Sequence, residues 1–105
     1  MKNFLLALTL VGATSLYADN TELIKKGKTI YQTTCIACHN KDPKLKGSMG
    51  PELVGSPIEL IQSKVTKGEY PAGYTPKRKT KIMTKFPHLL KDIPAIHAYI
   101  NSFKK

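Results

Sequence analysis

Cys35-Ile36-Ala37-Cys38-His39 is the stretch around which the rest of the chain has to be arranged. Two thiols three positions apart share one face of a helical turn, and an imidazole follows at once. Such a C-x-x-C-H run reads as the attachment site of a c-type haem. The thiols of Cys35 and Cys38 each add to one vinyl group of the macrocycle, and His39 bonds the iron from one side. Two plainer uses of these residues fit less well. A thioredoxin-like redox pair leaves His39 without a role and belongs in a βαβ context that this sequence lacks. A zinc site needs four ligands, and the remaining histidines, His88 and His97, have eight residues between them, outside the usual spacing.

Upstream, Lys2 precedes an apolar run from Phe4 to Leu16 broken only by Thr9, Gly12, Thr14 and Ser15. This reads as a secretory signal peptide spanning residues 1–18, cleaved after Ala18 or, a few residues earlier, after Ser15. Leu16 at the −3 position makes the Ala18 site imperfect. The 13-residue run is shorter than the ~20 residues a membrane span requires, and no cysteine follows it to carry a lipid. The expected destination is the periplasm. Two cysteines in an oxidising compartment would ordinarily suggest a disulfide, but a bridge this short closes a strained loop. Haem is the better use of both thiols.

Residues 19–105 then form one domain. A chain of this size buries little core and needs a staple, which an attached macrocycle supplies; before attachment the chain is expected to be mostly disordered. Its charge is the other global signal. Without Lys2 there are 16 basic against 7 acidic residues, a formal net of +9. An exported protein does not meet cytoplasmic nucleic acid, and no nucleic-acid motif is present. The charge points instead to an acidic protein partner or to peripheral contact with anionic lipid. It is concentrated locally, in Lys77, Arg78, Lys79, Lys81 and Lys85.

Asp19 and Glu22 form a capping box opening a helix from Asn20 to Thr33, which delivers the chain into Cys35. Leu23, Ile24, Gly27, Ile30 and Tyr31 recur at helical spacing and define its buried side. Gly27 costs such a helix about 1 kcal/mol relative to alanine, so close approach of a second helix is expected there. Asn40 to Gly55 reads as loop. Ser56-Pro57-Ile58-Glu59 is a helix start with Ser56 as N-cap, the stripe Ile58, Ile61 and Val65 follows, and Gly68 stops it. Glu69 to Lys85 is a second long loop. The last helix runs from Ile93 to Phe103, with Asp92 as N-cap and Ile93, Ile96, Ile100 and Phe103 buried. No strand-like alternation and no repeat occurs.

Helix, C-x-x-C-H, glycine-rich loop, helix, methionine-bearing loop and terminal helix together resemble the small class I cytochromes c of bacterial periplasmic type. The resemblance covers essentially all of residues 19–105. It implies an all-α fold of three to five helices wrapped around one haem c bound through Cys35 and Cys38. It also implies that the first and last helices cross, with Gly27 and Tyr31 against Ile96, Tyr99 and Ile100. The family's Gly-Pro-x-Leu-x-Gly loop is matched by Gly50-Pro51-Glu52-Leu53-Val54-Gly55. There the Pro51 carbonyl would accept a hydrogen bond from the His39 nitrogen that does not bind iron. Met83, 44 residues after His39, is the sixth ligand by position. His88 is its main rival. Met49 adjoins the His39 side, and His97 falls inside the terminal helix. Thr84 stands where many relatives have proline, and tryptophan is absent. Tyr70 and Tyr74 are expected to bond a haem propionate or simply to pack.

A His/Met pair suits electron carriage, because a weakly donating thioether favours ferrous iron and filled axial positions leave no site for oxygen or peroxide. The expectation is a monomeric, non-enzymatic carrier of single electrons between membrane-associated respiratory complexes, with no small-molecule substrate and acidic docking partners. The alternatives are a haem enzyme or gas sensor with an open sixth position, and a dedicated haem subunit of a larger oxidoreductase.

Overall fold

The computed structural model describes residues 20–79 and 82–104. The expected signal peptide, the Asp19 half of the capping box, Lys81 and Lys105 lie outside these residues. Within them the regular structure is entirely helical. Helix α1 spans 20–34, α2 Ile58–Lys67 and α3 Ile93–Asn101. A 3₁₀ segment, Pro87–Asp92, leads directly into α3.

The crossing of α1 with α3 organises the molecule. Gly27 faces the Ala95 carbonyl so closely that a Cβ would overlap it, and the same Cβ would stand 2.9 Å from Tyr99 Cβ. One turn on, the Tyr31 and Tyr99 rings pack with centroids 5.5 Å apart, and Phe103 meets Tyr99 edge-on. Lys26 closes the crossing with an ion pair to Asp92 at 3.0 Å. Tyr31 is fully buried, and its hydroxyl donates to the Asn40 carbonyl at 2.5 Å. Helix α2 adds Ile61 and Val65 to a core shared with Leu89, Ile93, Ile96 and Ile100. Gly68 ends α2 at φ 72°, with its N–H on the Lys64 carbonyl.

Several local expectations are corrected. Pro57, not Ser56, holds the N-cap position of α2, with no side-chain capping bond. Its carbonyl accepts the Leu60 and Ile61 N–H groups, while Ser56 is buried with its N–H on the Leu53 carbonyl. Asp92 holds the N-cap position of α3 as expected, but without a side-chain capping bond; its carboxylate serves the ion pair with Lys26 instead. Leu23 is 37% exposed, so of the Leu23–Ile24 pair only Ile24 packs on the core. Helix α3 ends at Asn101, leaving Phe103 on a turn and partly buried.

Candidate functional site

The end of α1 carries the motif without a break. The Cys35 N–H bonds back to the Tyr31 carbonyl at 2.9 Å, and the His39 N–H to the Cys35 carbonyl at 3.0 Å. Both cysteines are free thiols. Cys35 is packed against the core, and burial pushes its thiol up to about 11.

Loop 40–55 folds back over the motif. The N–H groups of Met49 and Gly50 both reach the Cys38 carbonyl, at 3.1 and 2.9 Å. Gly50 lies flat on the His39 imidazole, where any Cβ would run into the ring. The chain then continues to Pro51, whose carbonyl lies 3.0 Å from His39 Nδ1. With Nδ1–H donating to that carbonyl, Nε2 is left as the acceptor nitrogen, free to bond a metal. Burial lowers the His39 pKa below its ordinary value; the Pro51 bond opposes the shift and the Arg78 charge adds to it. The net shift favours the neutral imidazole, the form that ligates.

Cys35, Cys38 and His39 border a cleft enclosing about 980 Å³ of atom-free space, its open mouth included. Leu53, Leu60, Ile61, Val65, Ile96 and Ile100 give it apolar walls, and Met83 lines it together with the exposed Ile82. A smaller recess of about 510 Å³ shares Cys35, Cys38, His39 and Met83 and adds Thr84 and Phe86. His39 and Met83 thus border both spaces. The segment bearing Met83 is tied to α2 by the Phe86 N–H on the Val65 carbonyl at 2.6 Å.

The other candidate ligands stand elsewhere. His88 is exposed, edge-on to Phe86, and lines neither space. His97 lies part-way along α3, also off both linings. Met49 is exposed at the cleft border beside Gly50. No group of three His, Cys, Asp or Glu side chains assembles among the described residues, so a zinc site finds no support there. The residues present do fit a haem. An imidazole and a thioether, both bordering an apolar slot, would suit its iron, and two free thiols line the same slot.

The polar rim is more engaged than its sequence suggests. Lys77 donates to the Glu52 carbonyl at 3.2 Å and pairs with the Glu52 carboxylate at 3.7 Å. Arg78 donates to the Gly47 carbonyl at 3.3 Å. Lys79 and Lys85 are exposed. Tyr70 and Tyr74 stack on one another at 5.4 Å, with the Lys64 ammonium 4.2 Å above the Tyr70 ring. Sequence reasoning missed Lys64, which also lines the cleft; its position one turn behind Leu60 and Ile61 on α2 was the available signal.

Helices around an apolar cleft, with a half-buried histidine on a C-x-x-C turn, define a c-type cytochrome. Residues 22–100 match the family model described as cytochrome c oxidase, cbb3-type, subunit III, and the chain belongs to that family. A curated relative, the cytochrome bc1 complex cytochrome c subunit of Mycobacterium leprae (strain TN), is 28% identical over 85 residues. The match covers 80% of this chain and 28% of the relative. No solved structure matches. The protein is accordingly a cytochrome of that family.

Proposed function

We propose that the chain is exported, loses residues 1–18, and acts in the periplasm as a monomeric carrier with one haem c bound through Cys35 and Cys38. His39 and Met83 are its axial ligands. The observation that carries this reading is the bond from His39 Nδ1 to the Pro51 carbonyl in a cleft that Met83 also lines. Haem c supplies a one-electron iron centre. The chain's own contribution is to hold that centre: Pro51 fixes the imidazole tautomer and raises its basicity. The apolar walls exclude water. Met83 supplies a soft donor that favours the reduced state.

The electron partners are membrane-associated respiratory complexes with acidic docking surfaces. Membership in a family named for an oxidase subunit, and likeness to a bc1-complex subunit, support that class. Exposed Lys79 and Lys85 near the Met83 segment are the steering charges. No helix of the described residues is long and apolar enough to cross a membrane. Because both comparisons name subunits, the second reading is a dedicated haem subunit of one complex. Copurification with that complex at stoichiometric yield would favour it over a diffusing shuttle.

Denaturing gels stained for haem should show covalent stain in the wild type and none in Cys35→Ala/Cys38→Ala. Met83→Ala should turn the iron high-spin and open it to added imidazole, whereas His88→Ala should leave the spectrum unchanged. The reverse pair of results would make His88 the ligand.

A further inference from the structure

The loop that carries Pro51 is held at its far end by one side chain. Asn101, in the last turn of α3, accepts the Gly55 N–H on Oδ1 at 2.8 Å. Its Nδ2 donates to the Ser56 carbonyl at 3.1 Å and to the His97 carbonyl at 3.2 Å. The first two bonds tie α3 to the loop; among the described residues no other hydrogen bond does. Gly55 needs the help. It is exposed and sits at φ 85°, in a turn whose backbone would otherwise bond to water. At its near end the same segment meets the Pro43 carbonyl through the N–H groups of Leu53 and Val54, at 2.9 and 3.0 Å. Pro51 stands just upstream of both anchors, with its carbonyl on His39.

We infer that Asn101 is a positioning residue for His39: by clamping Gly55 and Ser56 to α3, it keeps the Pro51 carbonyl on the imidazole. The inference rests on the reading that His39 is the iron's ligand. Three residues stand between Pro51 and Gly55, and the segment contains no regular structure of its own. Its carbonyl can be no better placed than its two ends. Upstream, the Gly50 N–H is held on the Cys38 carbonyl; downstream, Leu53 and Val54 share the Pro43 carbonyl, and the turn that follows them is held by a single amide whose partners lie 45 and 46 residues away in sequence. Asparagine is a weak helix former, and a leucine of the same branched shape would serve α3 better. The amide is used for its hydrogen bonds.

The test compares Asn101→Leu and Asn101→Ala with Ser102→Ala in the haem-loaded protein. Ser102→Ala removes a bond in the same turn, from Ser102 Oγ to the Tyr99 carbonyl at 2.6 Å, without touching the loop. Loss of one net hydrogen bond should speed exchange of the Gly55 amide roughly three- to tenfold in the Asn101 variants. A loosened Pro51 carbonyl makes the imidazole a weaker donor to ferric iron. The midpoint potential should therefore rise by the equivalent of a roughly two- to fivefold shift in the ferrous/ferric ratio, less than direct loss of an outer-shell partner causes. Ser102→Ala should leave it unmoved. Asn101 variants that lose stability while the potential stays at the wild-type value would overturn the inference. Should neither variant fold, the wild-type Gly55 amide decides: exchange at the rate of a free peptide would mean that there is no clamp. Failure of the underlying reading is recognised separately, as a wild-type protein without covalent haem on a stained gel.

Discussion

Gly27→Ala adds one methyl group to the crossing of α1 and α3, and two effects of opposite sign follow. On a solvent-facing helix the change would stabilise by about 1 kcal/mol, alanine being the better helix former. Here the new Cβ would overlap the Ala95 carbonyl and stand 2.9 Å from Tyr99 Cβ. The first of these is backbone, which no rotamer change can move aside, so the helices must separate. The Tyr31–Tyr99 contact and the buried Ile93, Ile96 and Ile100 would open with them. Overpacking a core costs about 1–3 kcal/mol and occasionally more; a backbone overlap belongs at the upper end, which leaves a net loss of about 2 kcal/mol. At ~4–8 °C per kcal/mol for a domain of this size, the melting temperature of the haem-loaded protein should fall by roughly 8–16 °C. Circular dichroism against temperature measures it, with exposed Lys28→Ala on the same helix as a near-neutral comparison. A melting temperature that holds or rises in Gly27→Ala would refute the close crossing.

Two further outcomes follow from the same structure. Tyr31→Phe removes the bond to the Asn40 carbonyl and should cost about 1–2 kcal/mol. Burial raises the Tyr31 hydroxyl above its ordinary pKa of 10.0, so the stability it contributes is complete below pH 10 and lost as pH climbs through the folded value. Wild-type unfolding free energy should thus fall more steeply than the variant's above pH 10, and parallel alkaline limbs would contradict this. Reversing Lys79 and Lys85 to glutamate should slow electron transfer to an acidic partner at low salt. Reversing Lys25 and Lys28 on α1 should do less, and both differences should shrink as the Debye length falls to ~10 Å at 0.1 M; equal slowing by both pairs in stopped-flow traces would mean that net charge alone governs encounter.

What could be read from the sequence was local or carried by a motif. The C-x-x-C-H turn, the Gly50-Pro51 loop and the stripe of α2 are all set by neighbours within a few residues. Gly27 also announced its crossing, because a helix tolerates a mid-helix glycine at a cost that only close packing explains. What escaped depends on partners far along the chain. Asn101 sits inside an apolar helical pattern, and nothing near it names Gly55 or Ser56. Asp92 looked like a cap because it precedes Ile93-Pro94, yet Lys26 on α1 claims its carboxylate. Pro87–Asp92 is six residues long, too short for a period to show. Met83 and His88 lie in one segment, and only the turn into the 3₁₀ helix separates a cleft residue from an exposed one. Lys77 and Arg78 read as free charge, whereas both spend donors on carbonyls of the opposing loop.

The optical spectrum of the ferric protein reports on both proposed iron ligands, His39 and Met83, at once. With His39 and Met83 bound, the iron should be low-spin with a sulfur-to-iron charge-transfer band in the far red, and the reduced protein should be slow to take up carbon monoxide. A high-spin ferric spectrum without that band, together with rapid carbon monoxide binding on reduction, would contradict the account and mark an open site in place of an electron carrier.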